Sequence, residues 1–141
     1  MALTDRSVKV ALPEAVYGAI AETARRTGRP LDAVASEMLA EAVKMRRVPG
    51  IIFADGTHGR VVRIAGTGLE VWEIVSQYRA VGDDWEQLKA GYPRLSEQQL
   101  RAALAYAEAY PDEIDAALRK NDAWTPEKAW TTYPFMRPPW R

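Results

Sequence analysis

The sequence contains no cysteine and a single histidine, His58. The first absence removes disulfides, thiolate metal sites and cysteine nucleophiles. The second leaves a histidine metal set or a histidine-centred dyad without its second member. His58 sits in a glycine-flanked stretch with Asp55 nearby, and it reads as a loop histidine. No apolar run approaches the ~20 residues that cross a bilayer, and no charged–apolar–small leader pattern opens the chain. A phosphate-cradling loop is missing too: Gly66-Thr67-Gly68 has neither the strand-to-helix glycine pattern nor a lysine. Asp83-Asp84 precede a helical stretch and read as its cap and N-terminal charge. These absences point to a cytoplasmic protein of bacterial type that is not an enzyme, uses no cofactor and holds no metal.

There is no excess of charge either: 19 Lys/Arg balance 19 Asp/Glu. The distribution is less even. Residues 1–50 carry 8 Lys/Arg against 6 Asp/Glu, residues 51–120 carry 8 against 11, and residues 121–141 carry 3 against 2. Any attraction to nucleic acid is modest and lies at the N-terminus. What is present is apolar: 48% of the residues are hydrophobic, enough for a folded core.

The run Ser7-Val8-Lys9-Val10-Ala11-Leu12 alternates, with Val8, Val10 and Leu12 on one side. That is the period of a half-buried strand. Pro13 stops it, and a helix is expected from Pro13 to Thr27, with Val16, Ile20 and Ala24 inward and Tyr17 at the edge. Gly28 ends that helix. A second is expected from Leu31 to Arg46, with Val34, Met38, Leu39 and Val43 inward and Lys44, Arg46 and Arg47 at its C-terminal dipole. A lone strand leaves its backbone groups unpaired, and the same strand of a second copy would satisfy them. The alternative is a short edge strand and two core helices inside one larger domain.

Val8-x-Val10-x-Leu12-Pro13, followed by Gly28-Arg29-Pro30-Leu31-Asp32-x-Val34, resembles the ribbon-helix-helix family over residues 7–46. The resemblance implies a dimerisation and DNA-binding domain over residues 1–47, with an intermolecular β-ribbon whose polar face enters the major groove. The implied base-facing residues are Ser7, Lys9 and Ala11. Lys9 suits guanine O6 or N7, Ser7 suits either kind of edge, and Ala11 can touch a thymine methyl. Pro30 stands where the family usually has the Ser or Thr that caps the second helix beside a phosphate. Arg29 is the expected compensation for the weaker clamp.

Val48-Pro49-Gly50 reads as a linker, and a second domain is expected over residues 50–120. Ile51-Ile52-Phe53 and Arg60-Val61-Val62-Arg63-Ile64 read as a hairpin with a long polar loop, Asp55 to Gly59. Helical stretches are expected at Val71–Val81, Asp84–Ala90, Ser96–Tyr110 and Pro111–Lys120. Ser96 with Gln99 is a capping-box signature, and Leu100, Ala103, Leu104 and Ala107 share a face. Helix, Tyr92-Pro93-Arg94-Leu95, helix has the outline of a helix-turn-helix.

Gly66-Thr67-Gly68-Leu69-x-Val71-Trp72, Tyr92-Pro93-x-Leu95 and Leu100-x-x-Ala103-Leu104-x-Tyr106 resemble a bacterial domain of uncharacterised function. That domain occurs in antitoxin-like proteins and is assigned to the helix-turn-helix superfamily. The resemblance spans about residues 50–118, with Gly68 where the family usually has arginine. Trp72 and Tyr106 are expected in the core. Arg94, Gln98 and Arg101 form a candidate second DNA surface, opposed by Glu97 and the acidic balance of the segment. The alternative is a docking or dimer-reinforcing domain.

Residues 121–141 form an aromatic, proline-rich tail, expected to be extended because its prolines interrupt a continuous helix. Trp124, Trp130, Tyr133, Phe135, Arg137, Trp140 and Arg141 are residue types that anchor interfaces. The alternative is a tail folded back over the second domain. The expected fold class is therefore mostly α: an N-terminal ribbon-helix-helix, a hairpin plus helix-turn-helix-like domain, and an extended tail. Taken together, the plan resembles an antitoxin of a type II toxin–antitoxin pair. The resemblance implies a dimer on double-stranded operator DNA and a cognate ribonuclease-type toxin, PIN or PIN-like, covered by the C-terminal region. Arg137 or Arg141 would then enter an acidic metal site of that toxin. A stand-alone dimeric repressor and a non-DNA adaptor are the competing readings.

Overall fold

The computed structural model describes residues 5–123 and 125–140. It divides into two compact units, one up to Lys44 and one from Met45 onward. The order of elements is α1 (Glu14–Thr27), α2 (Leu31–Arg47), β1 (Ile51–Gly56), β2 (Gly59–Ile64), α3 (Val71–Ala80), α4 (Trp85–Gly91), α5 (Glu97–Ala109), α6 (Pro111–Asp122), α7 (Pro126–Thr132) and a 3-10 turn at Pro134–Met136. The fold is mostly helical with one small antiparallel hairpin.

In the first unit, Pro13 caps α1 from outside, and its carbonyl accepts the Val16 and Tyr17 N–H groups at 3.0 Å each. Gly28 ends the helix at φ 65°, a left-handed conformation that costs glycine little. The Arg29 N–H closes the cap onto the Ala24 carbonyl at 3.1 Å. Of the expected inward residues, Ile20, Ala24 and Val34 are buried. Val16, Tyr17, Met38, Leu39 and Val43 are exposed in the single chain. Residues 7–12 form no strand there. The physical reason is plain: a strand is defined by its ladder, and among the described residues of one chain this segment has no partner to pair with.

The second unit is built on the hairpin. β1 and β2 pair from Ile51 opposite Ile64 to Gly56 opposite Gly59. The expected long loop is thus a two-residue turn, Thr57-His58, and Asp55 lies inside the ladder opposite Arg60. Gly56 is required by space: a Cβ there would lie 2.7 Å from Val61 Cγ1.

Helix caps fall where local chemistry puts them. Ser96 and Gln99 form a reciprocal capping box on α5. Asp84 accepts the Gln87 N–H at 3.1 Å and caps α4. Asp83, its neighbour, instead carries a left-handed turn at φ 60°. Glu70 and Glu73 form a further capping box on α3. The core joins Val62 and Ile64 of the hairpin to Val71, Ile74 and Val75 of α3, Leu88 of α4, Leu100, Ala103 and Tyr106 of α5, and Ile114 of α6. Tyr106 is fully buried, and its hydroxyl donates to Glu113 at 2.7 Å, so the ring's polar tip is satisfied. Trp72 is only half-buried and stands outside this cluster, contrary to expectation.

The tail is not extended throughout. Thr125 accepts the Lys128 N–H at 3.2 Å, and Pro126 takes the first helical position, where its missing N–H costs nothing. The 3-10 turn follows after Tyr133.

Candidate functional site

Three surfaces carry the candidate functional residues. The first is the N-terminal segment. Ser7, Lys9 and Ala11 are exposed, and so are their apolar neighbours: Val8 is 84% and Val10 61% accessible. Arg29 makes an ion pair with Glu37 across the α1–α2 turn at 3.1 Å. Its charge is therefore shared with a carboxylate of its own chain. Asp32 hydrogen-bonds the Ala33 N–H at 2.9 Å.

The apolar residues of α2 extend the first surface. At about 100° per residue, Leu31, Met38, Ala35, Leu39 and Val43 fan out over roughly half the helix circumference from Val34. Val34 is fully covered, whereas Leu39 is 65% accessible. The helical period puts Met38, Leu39 and Val43 inward, yet their own chain does not cover them.

The second surface is the α4–turn–α5 region. Arg94 and Gln98 are exposed. Arg101 is exposed as well, but its guanidinium lies over the Trp85 ring, 4.6 Å from the centroid. Lys89 bridges Glu86 at 3.1 Å and Glu97 at 3.0 Å. The hydrogen bond to Glu97, then that to Glu86, holds the Lys89 ammonium above its ordinary pKa. The same bond, with the Lys89 charge, holds the Glu97 carboxyl below its ordinary value. Burial, and then the nearby Glu73 charge, pushes the Tyr92 hydroxyl up. Two of the cations here are thus engaged by α4 and α5 themselves. The Trp85–Arg101 stack lies beyond what the sequence pattern predicts. Its only signal there is the stripe Arg101, Leu104, Ala105 and Glu108, at spacings that share a helix face.

The third surface is the tail. Trp130 is half-buried, and Tyr133, Arg137 and Met136 are exposed. Phe135 is 83% and Trp140 80% accessible, so these two rings stand uncovered. Tyr133 and Phe135 meet edge to face, with centroids 6.0 Å apart. Trp124 and Arg141 lie outside the described residues. Met136, which is absent from the residues expected at this surface, joins the apolar group.

Among the described residues, no three His, Asp or Glu side chains converge as a metal site would need. His58 stands at the hairpin tip. No described helix is long and apolar enough to cross a membrane.

No curated protein and no solved structure matches the chain. One stretch does match a family: residues 51–107, running from β1 into α5 within the span expected from the sequence, are similar to the family described as Protein of unknown function (DUF433).

Proposed function

We propose that the chain is an antitoxin that binds operator DNA as a homodimer and neutralises a ribonuclease-type protein toxin through its C-terminal region. The observation that carries the reading is the mismatch between the first unit's apolar residues and its core. Among the described residues, only Ile20, Ala24 and Val34 form that core, while Val8, Val10, Leu12, Leu39 and Val43 face outward. A unit of this size seldom folds on so little burial without a second chain, a metal or disulfides. Cysteine is absent, and no metal cluster is formed by the described residues. A second copy would supply that support. Pairing residues 7–12 of two copies would satisfy both backbones and turn Val8, Val10 and Leu12 into a shared floor. Covering each large apolar side chain is worth about 1.5–3 kcal/mol. Ser7, Lys9 and Ala11 would then form one polar face, suited to the major groove.

The tail supplies the toxin-binding part of the proposal. Tyr133, Phe135, Met136 and Trp140 are exposed together beside Arg137. Aromatics and arginine are the residues that dominate interface energies. The second unit links the two functions, and two of its cations, Lys89 and Arg101, are tied to its own acids and to Trp85, while Arg94 is exposed. That favours a docking domain over a second DNA reader.

The test separates the two activities. A chain ending at Ala123 keeps α6 whole and the N-terminal segment untouched. It is expected to bind its own upstream DNA with unchanged affinity. Its grip on the product of the adjacent toxin-like gene should fall by about 2 kcal/mol or more. Lys9→Ala should do the reverse, sparing neutralisation and weakening DNA binding by about 1–3 kcal/mol for each base edge the lysine no longer reaches. Full neutralisation by the shortened chain would remove the tail from the toxin interface. DNA binding with no toxin partner in growth and co-purification assays would favour a stand-alone repressor.

A further inference from the structure

The tail contains a helix that needs support from outside itself. α7 is seven residues long, Pro126–Thr132. Helices shorter than about 12 residues are marginal on their own in water. Its ends are fixed locally: Thr125 caps it, and the Tyr133 N–H closes onto the Ala129 carbonyl at 2.7 Å. Its side chains are mostly polar or small, and Trp130 is the one large apolar side chain among them. Trp130 is half-buried, and it lines a hollow with Pro134 of the 3-10 turn and with Glu127, Thr131 and Arg137. The indole is thus the apolar surface on which helix and turn come together.

Phe135 is the contrary case, an exposed ring that is nevertheless held. The Met136 N–H donates to the Tyr133 carbonyl at 2.9 Å and the Arg137 N–H to the Pro134 carbonyl at 3.1 Å, so hydrogen bonds bracket its backbone. Pro134 fixes φ at the start of the turn. The Tyr133 ring meets the Phe135 ring edge to face, which limits where Phe135 can point. An apolar ring that is uncovered and already ordered loses little freedom on binding, and aromatic side chains of that kind make strong anchors. We propose, resting on the toxin reading above, that Trp130 is the tail's internal scaffold and not a toxin contact, and that it holds Phe135 ready for an apolar pocket on the toxin.

The two aromatics then act at different steps. Phe135 sets how long the complex lasts, because it fills the pocket. Its side chain has no polar atom, and Pro134 and Met136 on either side are apolar too, so the pocket that receives it is apolar. Trp130 sets the fraction of free chains whose tail is ready to bind, and apparent affinity falls in proportion to that fraction. Changes at these two positions spare the rest of the fold. Among the described residues, the second unit's core and the hydrophobics packed on it end at Leu118.

The test uses the full chain and the purified product of the adjacent toxin-like gene. In the free chain, nuclear magnetic resonance should show a nuclear Overhauser effect between the Tyr133 and Phe135 rings. Phe135→Ala should weaken binding about thirtyfold, mainly through faster dissociation. Trp130→Ala should instead erase the ring contact in the free chain and slow association, and the contact should return in the complex. Trp130→Phe should keep both the contact and the association rate. An unmodified free chain without the ring contact would overturn the proposal. So would Trp130→Ala that speeds dissociation with the contact intact, or that leaves the binding rates unchanged. Phe135→Ala that binds as tightly as the unmodified chain would overturn it too. Each of these results leaves the toxin reading standing. If the unmodified chain does not bind the gene product at all, the toxin reading fails and the anchor assignment with it.

Discussion

Among the described residues, the second unit buries a core of twelve side chains, whereas the first buries three. The second draws its core from a hairpin and four helices that cover one another. The first has two helices and an apolar segment, with Val8, Val10 and Leu39 more than half accessible. Composition does not explain this contrast, because both units hold ample apolar residues. What differs is whether the chain supplies the surface that covers them. A unit that covers its own apolar face needs no copy, and the one that does not is where we propose that a second copy packs.

The comparison can be broken most severely in the second unit. Leu100 lies at its centre, 1% accessible. Leu100→Ala should cost about 2–5 kcal/mol and lower the melting temperature of that unit. Dimerisation should survive, because the first unit keeps its own packing. Simultaneous loss of the dimer on gel filtration would show that the units are not independent.

Leu39 provides a sharper, smaller test. In a lone chain its replacement by Ser should change stability by no more than about 0.5 kcal/mol, as surface changes do. Under a covering second copy it should cost about 1.5–3 kcal/mol per chain. Denaturation at several protein concentrations distinguishes the two, since only the second case is concentration-dependent.

The smallest expected effect is at the α4–α5 ion pair. The Glu97 carboxyl is held below its ordinary pKa by Lys89. Its stabilising contribution is therefore present above the ordinary carboxylate range and is lost as pH falls through the lowered value. Glu97 is solvent-exposed and Lys89 only half-buried, so the contribution is slight. Glu97→Gln should melt almost with the unmodified chain at neutral pH and become indistinguishable from it in acid. A large neutral-pH effect would mean that this pair does more than tie α4 to α5.

How legible each element is follows from how local its cause is. The α1 and α5 ends are readable because Gly28, Ser96 and Gln99 act within a few residues of themselves. The hairpin tip departs from expectation because Asp55 and Gly56 are loop-forming types. Opposite Arg60 and Gly59 they instead continue the ladder, and Asp55 pairs with Arg60 at 3.0 Å. The α7 helix departs from the expected extended tail although Thr125-Pro126 is a start signal, because the prolines after Tyr133 dominate the local pattern. Arg29 with Glu37 and Arg101 with Trp85 are invisible for another reason. One ties the α1–α2 turn to α2 and the other ties α4 to α5, and no periodicity within one helix reveals its partner. The alternation of residues 7–12 is legible, but the strand it implies needs a hydrogen-bonding partner that the described residues of one chain do not provide.

The most direct test of the account is sedimentation of the full chain beside its Val10→Pro variant. Proline at the middle of residues 7–12 fixes φ there and, with the Val10 N–H directed at the partner strand, removes a ladder donor. The account predicts a dimer for the unmodified chain and a monomer for the variant, with the second unit still folded by far-ultraviolet circular dichroism and by its own thermal transition. A variant that sediments as the same dimer, or an unmodified chain that is a stable, cooperatively folded monomer, would contradict it.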